Sequence, residues 1–297
     1  MFWENIKEAI TSISSNKMRS LLTMLGIIIG ISSVIIITTI GGSIQSTLTA
    51  TMNSLGGNMV QAYVEARYPE NDEDWATWEQ PDMTDSDYVT QDMIDGLIEK
   101  YPDEVTGVAA QNYLGSGTIK DDADSKNYAN VNIDGITPEY LEYMKLEMHA
   151  GRNLTKADNQ GKKRVCLIAD TMAERYFAGK DPIGETLSVA TSDGGIFDFV
   201  VVGVYVYNQA LFGKVDTSIP EKDRVTELMI PFQTCFKLQG ADRTGYDYFN
   251  LMIDPLADVN QATTDVLSYF DEIYANNKNF HVSAYNMASD LGMINTV

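Results

Sequence analysis

The apolar and polar positions of this chain divide it at one place. Leu21 to Ile40, LLTMLGIIIGISSVIIITTI, is a run of twenty residues without a charge, and twelve of them are Leu, Ile or Val. At about 1.5 Å of rise per residue a helix of that length covers roughly 30 Å, the hydrocarbon thickness of a bilayer. A buried helix of a soluble protein would be shorter, about 10–14 apolar residues, and would carry a polar stripe. A cleaved signal peptide would have an apolar core of about 7–15 residues ending at small residues. Here the run is longer, and GGSIQSTLTATMNSL after it keeps a helical pattern with no convincing cleavage site. The stretch therefore reads as an uncleaved membrane span.

On its N-terminal side, Phe2, Ile6, Ile10 and Ile13 recur at helical spacing and predict an amphipathic helix over 2–15 lying on the inner membrane surface. Lys17 and Arg19 stand at the edge of the span, so the positive-inside rule places residues 1–20 in the cytoplasm and 41–297 outside. Within the span, Gly26 and Gly30 form a G-x-x-x-G spacing that brings small residues to one helix face, where another helix can pack closely. No proline interrupts 21–55, which predicts one continuous rod of about 50 Å, with Gly41 and Gly42 as further soft points. Gly56-Gly57 is the expected cap and exit.

Beyond the rod, alternating segments predict a mixed α+β outer domain. Strands are expected at 59–65, 105–111, 130–135, 164–169, 186–190, 196–206, 227–230, 246–253 and 280–284. Helices are expected from Thr90 to Pro102, from a Thr137 N-cap to about Met144, from Asp170 to about Ala178, and from Asp258 to about Ala275. HAGRNLTKAD at 149–158, 67–88 and 207–224 read as turns and loops, and Met287 opens a new helical pattern. The strand–helix–strand units at 59–111 and 246–284 look alike, which suggests two lobes, with one inserted from about 116 to 225.

Charge and composition exclude more than they select. Residues 1–20 carry three Lys/Arg and two Asp/Glu of the chain's 21 and 42, which leaves 18 against 40, a net −22, for the outer part. Such a surface repels nucleic acid and anionic headgroups. Acids at 67–83 and in DDAD at 121–124 follow no EF-hand spacing and read as solvated loops. Cys166 and Cys235 sit in apolar contexts and read as two buried thiols, with a bridge left open. His149 and His281 are isolated, so no metal spacing, nucleotide loop or nucleophile–base pair stands out. No catalytic, cofactor-binding or metal-ligating residue is assigned. Tyr205, Tyr207 and Phe212 are candidates for substrate contact, with core packing as the alternative.

Several stretches together are specific: ENIKEAITSISSNKMRSLLTMLGIIIGISSVI at 4–35, LGGN at 55–58, the turn Gly151, Arg152 and Asp158, VCLIADTMAERYFAGKDPIGETL at 165–187, and VVGVY followed by LMIP. In this order they resemble the MacB/FtsX-type ABC transporter permeases. The resemblance implies one N-terminal transmembrane helix followed by an extracytoplasmic α+β domain, a porter-like lobe at 56–115 and 226–286 with a smaller lobe inserted at 116–225. It further implies a non-catalytic subunit of the plasma membrane, without a cofactor. Its partners would be a cytoplasmic ABC ATPase, a second permease copy, an extracytoplasmic adaptor and the lipid around 21–40. ATP hydrolysis would move the outer domain to export or extract a peptide, lipid or lipoprotein. The chain ends at Val297, where 287–297 would lead into a second membrane helix, so either a fragment or a naturally short relative is implied. The alternative is a signal-anchored ligand-binding or sensor module, with an exported hydrolase behind it.

Overall fold

The structure is a computed structural model, and it describes residues 2–15, 17–54, 59–69, 71, 75, 77–120, 127–212, 218–240 and 245–286. Two compact units, Met1–Leu55 and Gly56–Val297, make up the chain.

The first unit is helical: α1 is Phe2–Ser15 and α2 is Lys17–Ser54, 38 residues without a break. At 1.5 Å per residue α2 is about 57 Å long. From Leu21 to Gly41 it is long and apolar enough to cross a bilayer, and none of that stretch is buried within the chain. Three of its hydroxyls are satisfied locally: Thr23 donates to the Arg19 carbonyl, Ser33 to Ile29 and Thr38 to Val34 at 2.7–3.0 Å. Bonds of that kind remove most of the cost of placing Ser and Thr in an apolar medium. Gly56-Gly57 and the pattern from Met287 lie outside the described residues.

The second unit opens with β1 (Met59–Ala66), α3 (Gln91–Lys100) and β2 (Val105–Ala109). The loop between β1 and α3 gathers Tyr68, Trp75 and Trp78, whose rings lie 5.3–5.6 Å apart and cover one another. After β2 the chain runs through β3 (Gln111–Lys120), β4 (Tyr128–Ile136), α4 (Tyr140–Tyr143), β5 (Met148–Gly151), α5 (Lys156–Gln160), β6 (Val165–Ala169) and α6 (Asp170–Phe177). It continues through β7 (Thr186–Thr191), β8 (Ile196–Tyr205), α7 (Gln209–Phe212) and β9 (Val225–Pro231). It returns through α8 (Phe232–Leu238), β10 (Tyr248–Ile253), α9 (Val259–Ile273) and β11 (Phe280–Tyr285).

The four outer strands form an antiparallel sheet in the order β11-β1-β10-β2. Two interlocked strand–helix–strand units generate that order, as in split β-α-β folds. Alternation along the strands sends Val60, Ala62, Phe249, Leu251 and Val282 against Ile94, Leu97, Val266 and Phe270 of α3 and α9. Asp258 caps α9 by accepting from the Asn260 and Gln261 amides, as the sequence predicts.

The other seven strands run in the order β5-β8-β6-β9-β4-β3-β7, and β7 pairs again with β8. Six of them therefore close into a ring, with β5 continuing alongside the later half of β8. Ile119, Val131, Ile133, Leu167, Val189, Phe199 and Leu228 fill a second core. The proposed edge at 225/226 between the expected lobes falls within β9, which pairs with β4 over 225–231 in this ring.

Three local expectations change. β3 extends over 111–120, where polar residues and two glycines hid the strand. Thr137 does not cap the helix after it; its side chain reaches back to the end of β2. The stretch 149–158 holds β5 and most of α5 rather than a bare turn.

That turn is built around Asp158, whose side chain is 1% exposed. Gly151 adopts φ 74°, and a Cβ there would lie 2.4 Å from the Val202 oxygen, so only glycine fits. Arg152 then donates to Asp158 at 2.6 Å, Lys163 at 3.0 Å and the Thr155 hydroxyl at 2.7 Å. Burial pushes the Asp158 carboxyl up, but these donors outweigh it and hold it well below its usual value of 3.8. Asp158→Ala is expected to cost about 2 kcal/mol at pH 7, less than the 3–5 of a wholly buried pair because Arg152 and Lys163 can turn to water. The stabilisation is complete above the unfolded value and is lost as pH falls through it towards the depressed folded value. Thermal melts at several pH values should therefore show the gap between wild type and variant closing below about pH 4.

Candidate functional site

On the helical unit, Lys17 opens α2 and Arg19 follows two residues on, exposed. Gly26 and Gly30 lie one turn apart, and a Cβ built at either meets no atom within 4 Å. The large apolar residues from Leu21 to Ile40 are 49–70% exposed, a surface that in water would be a severe liability.

In the second unit the site-forming feature is the junction between sheet and ring. The chain crosses from β2 to β3 at Ala110, and Thr137 clamps that crossing. Its hydroxyl accepts from the Ala110 amide at 3.0 Å and donates to the Val108 carbonyl at 2.9 Å. Its own amide donates to the Ala110 carbonyl.

The return crossing is α8, which has a foot in each core. Phe232 and Phe236 lie in the sheet's core, with Phe232 stacked on Tyr246 at 5.0 Å. Cys235 lies in the core of the ring, seated on Gly135, where a Cβ would come within 2.3 Å of its own. The Gln233 amide donates to Asn159, and the Thr234 hydroxyl to the Lys163 carbonyl. Cys166 and Cys235 are both free and buried.

Elsewhere the closest approach to a catalytic grouping among the described residues is at Ser283, His281 and Glu65. Ser283 donates to Glu65 at 2.8 Å and lies 3.3 Å from His281 Nε2, while Glu65 approaches the same nitrogen at 4.0 Å. A relay needs the carboxylate on the opposite ring nitrogen, and His281 Nδ1 is buried with no partner among the described residues. His149 is exposed and distant in sequence from these. Among the described residues no three His, Cys, Asp or Glu converge on a metal-sized point. Tyr205 is fully buried and donates to the Glu227 carbonyl, whereas Tyr207 and Phe212 pack ring to ring at 5.4 Å on the ring's surface.

The architecture is a mixed α/β head carried behind a helix long and apolar enough to cross a bilayer. Residues 20–269 match the MacB-like periplasmic core domain, and the chain belongs to that family. It is 31% identical over 186 residues to a Bacillus subtilis protein, the uncharacterized ABC transporter permease YknZ, covering 62% of this chain and 43% of that one. It is 25% identical over 221 residues to the macrolide export ATP-binding/permease protein MacB of Neisseria gonorrhoeae, covering 72% and 30%. The chain thus spans less than half the length of these relatives. The periplasmic region of MacB from Actinobacillus actinomycetemcomitans shares the fold, with a TM-score of 0.52 and 18% identity over 83% of this chain and 96% of that one.

Sequence reasoning found the helix but missed the junction. The available signal for α8 was a cluster of apolar residues, FQTCFKL, after Pro231. Thr137→Val keeps the shape and removes a doubly bonded buried hydroxyl, leaving the Ala110 amide and Val108 carbonyl with one partner fewer. A loss of about 1–3 kcal/mol is expected in denaturant titration of the full chain.

Proposed function

We propose that this chain is the non-catalytic permease part of a MacB-type transporter that converts ATP hydrolysis on the cytoplasmic side into movement of its head outside. The observation that carries the reading is a MacB-like core domain joined to a helix, α2, that stays unbroken for 38 residues. A stiff helix can pass a displacement along its length, and a broken one cannot. Lys17 and Arg19 before the span support a cytoplasmic N-terminus, with residues 41–297 outside the plasma membrane. Gly26 and Gly30 offer a packing face to another membrane helix, in the same chain or in a second permease copy.

The partners in this reading are a cytoplasmic ABC ATPase, a second copy, surrounding lipid and an extracytoplasmic adaptor. Its cargo is a peptide, lipid or lipoprotein already outside. We assign residues 56–115 and 226–286 to a porter-like lobe and 116–225 to an inserted lobe, with β9 straddling the boundary.

Two outcomes are expected. Protease added to intact cells should digest the acidic head and spare α1 and the span; a head that resists in intact cells and yields on lysis reverses the topology. In the complete transporter, Ser46→Pro breaks the helix ladder at a cost of about 3 kcal/mol. It should leave copurification of the ATPase unchanged and lower transport at least tenfold. Transport at the wild-type rate would sink the lever.

A further inference from the structure

Where the sheet meets the ring, the head holds a cleft of about 390 Å3, within the size range of small-molecule sites. Its lining comes from both: Gln91, Asp92 and Asp95 of α3 with Tyr246 on one part, and Glu139, Lys156, Asn159 and Lys162 on the other. Because α8 and Thr137 hold the two together, this space is fixed rather than formed by closure.

Negative charge gathers at one corner. Gln91 donates to Asp95 at 3.0 Å and accepts from the buried Tyr246 hydroxyl, so Asp95 is held in place by a chain of hydrogen bonds. Glu139 lies near enough to feel Asp95, and burial is the main cause that pushes its carboxyl up, with Lys156 opposing. Lys156 stands 3.8 Å away, too far for a hydrogen bond. Glu139 therefore has one loosely placed ammonium beside it, and the Asp95 carboxylate is close enough to push the Glu139 carboxyl up further.

The cleft's other cation is Lys162. Its backbone has φ 48°, a left-handed conformation that glycine or asparagine usually takes. It is held there by its amide bond to the Asn159 carbonyl and by the next amide's bond to Asp158. Lys163 beside it is spent on Asp158, whereas half-buried Lys162 lines the cleft with no carboxylate within 4 Å among the described residues. Lys162 therefore joins Asp95 and Glu139 in one polar lining, with no carboxylate of its own among the described residues.

We propose that this cleft binds a zwitterion, a free amino acid or the end of a short peptide, with its ammonium at Asp95 and Glu139 and its carboxylate at Lys162. The site is independent of the transport reading.

The test is calorimetric titration of the full chain in detergent micelles at pH 7 and low salt. Four probes are used: L-alanyl-L-alanine, L-alanine, N-acetyl-alanyl-alanine and alanyl-alaninamide. The expected result is binding of the zwitterions and at least tenfold weaker binding of each blocked compound. Equal affinity for alanine and the dipeptide assigns the site to free amino acids; tighter dipeptide binding assigns it to peptide ends. Glu139→Gln should abolish discrimination against the acetylated probe and keep discrimination against the amide, and Lys162→Gln should do the reverse. No binding by any probe, or binding indifferent to the blocked termini, overturns the proposal. The probe series on the unmutated chain decides this even if a variant fails to fold.

Discussion

Phe232–Leu238 is a seven-residue helix whose two faces belong to different hydrophobic cores, and the mechanical character of the head follows from that sharing. Moving sheet and ring apart would draw Phe232 and Phe236 from one core or Cys235 from the other. Each large apolar side chain so exposed costs about 1.5–3 kcal/mol. The Thr137 bonds at the second crossing add to the penalty, since they sit where water cannot replace them. A head joined by two flexible linkers would absorb a displacement at its junction. Two crossings that are pinned, one by packing and one by hydrogen bonds, resist such a displacement.

The same economy of partners marks the helical unit, with a different solvent. α2 satisfies hydroxyls of Thr23, Ser33 and Thr38 on its own carbonyls, and exposes a wide apolar surface between Leu21 and Ile40. That combination is unfavourable in water and favourable in lipid, where every polar group must find its partner within the segment. The span is thus defined as much by its Ser and Thr bonding as by its Leu and Ile count.

What could be read from the sequence was what local chemistry decides. The span, the α9 cap at Asp258 and the β7–β8 hairpin rest on charge, capping and alternation, and they stand where those signals put them. β3 and α8 rest on tertiary contacts. β3 alternates between solvent and a closed ring, so its polar face masks its strand character, and α8 is buried on both sides and too short for a helical stripe to show. Thr137 carried a capping signal that was outbid by two buried backbone groups 27 and 29 residues away. Lys162 gave no signal, because a left-handed lysine is invisible without the backbone that imposes it.

Net charge then acts on a head whose sheet and ring enclose a polar cleft. With 18 basic against 40 acidic groups beyond the span, the field around the head repels free anions and collects cations. A simple anion is therefore kept from Lys162 by long-range repulsion, and a simple cation finds competing carboxylates across the whole surface. A zwitterion carries no net charge and meets neither barrier. On the proposal above it is selected at short range, by carboxylates and an ammonium-bearing lysine that line the same cleft.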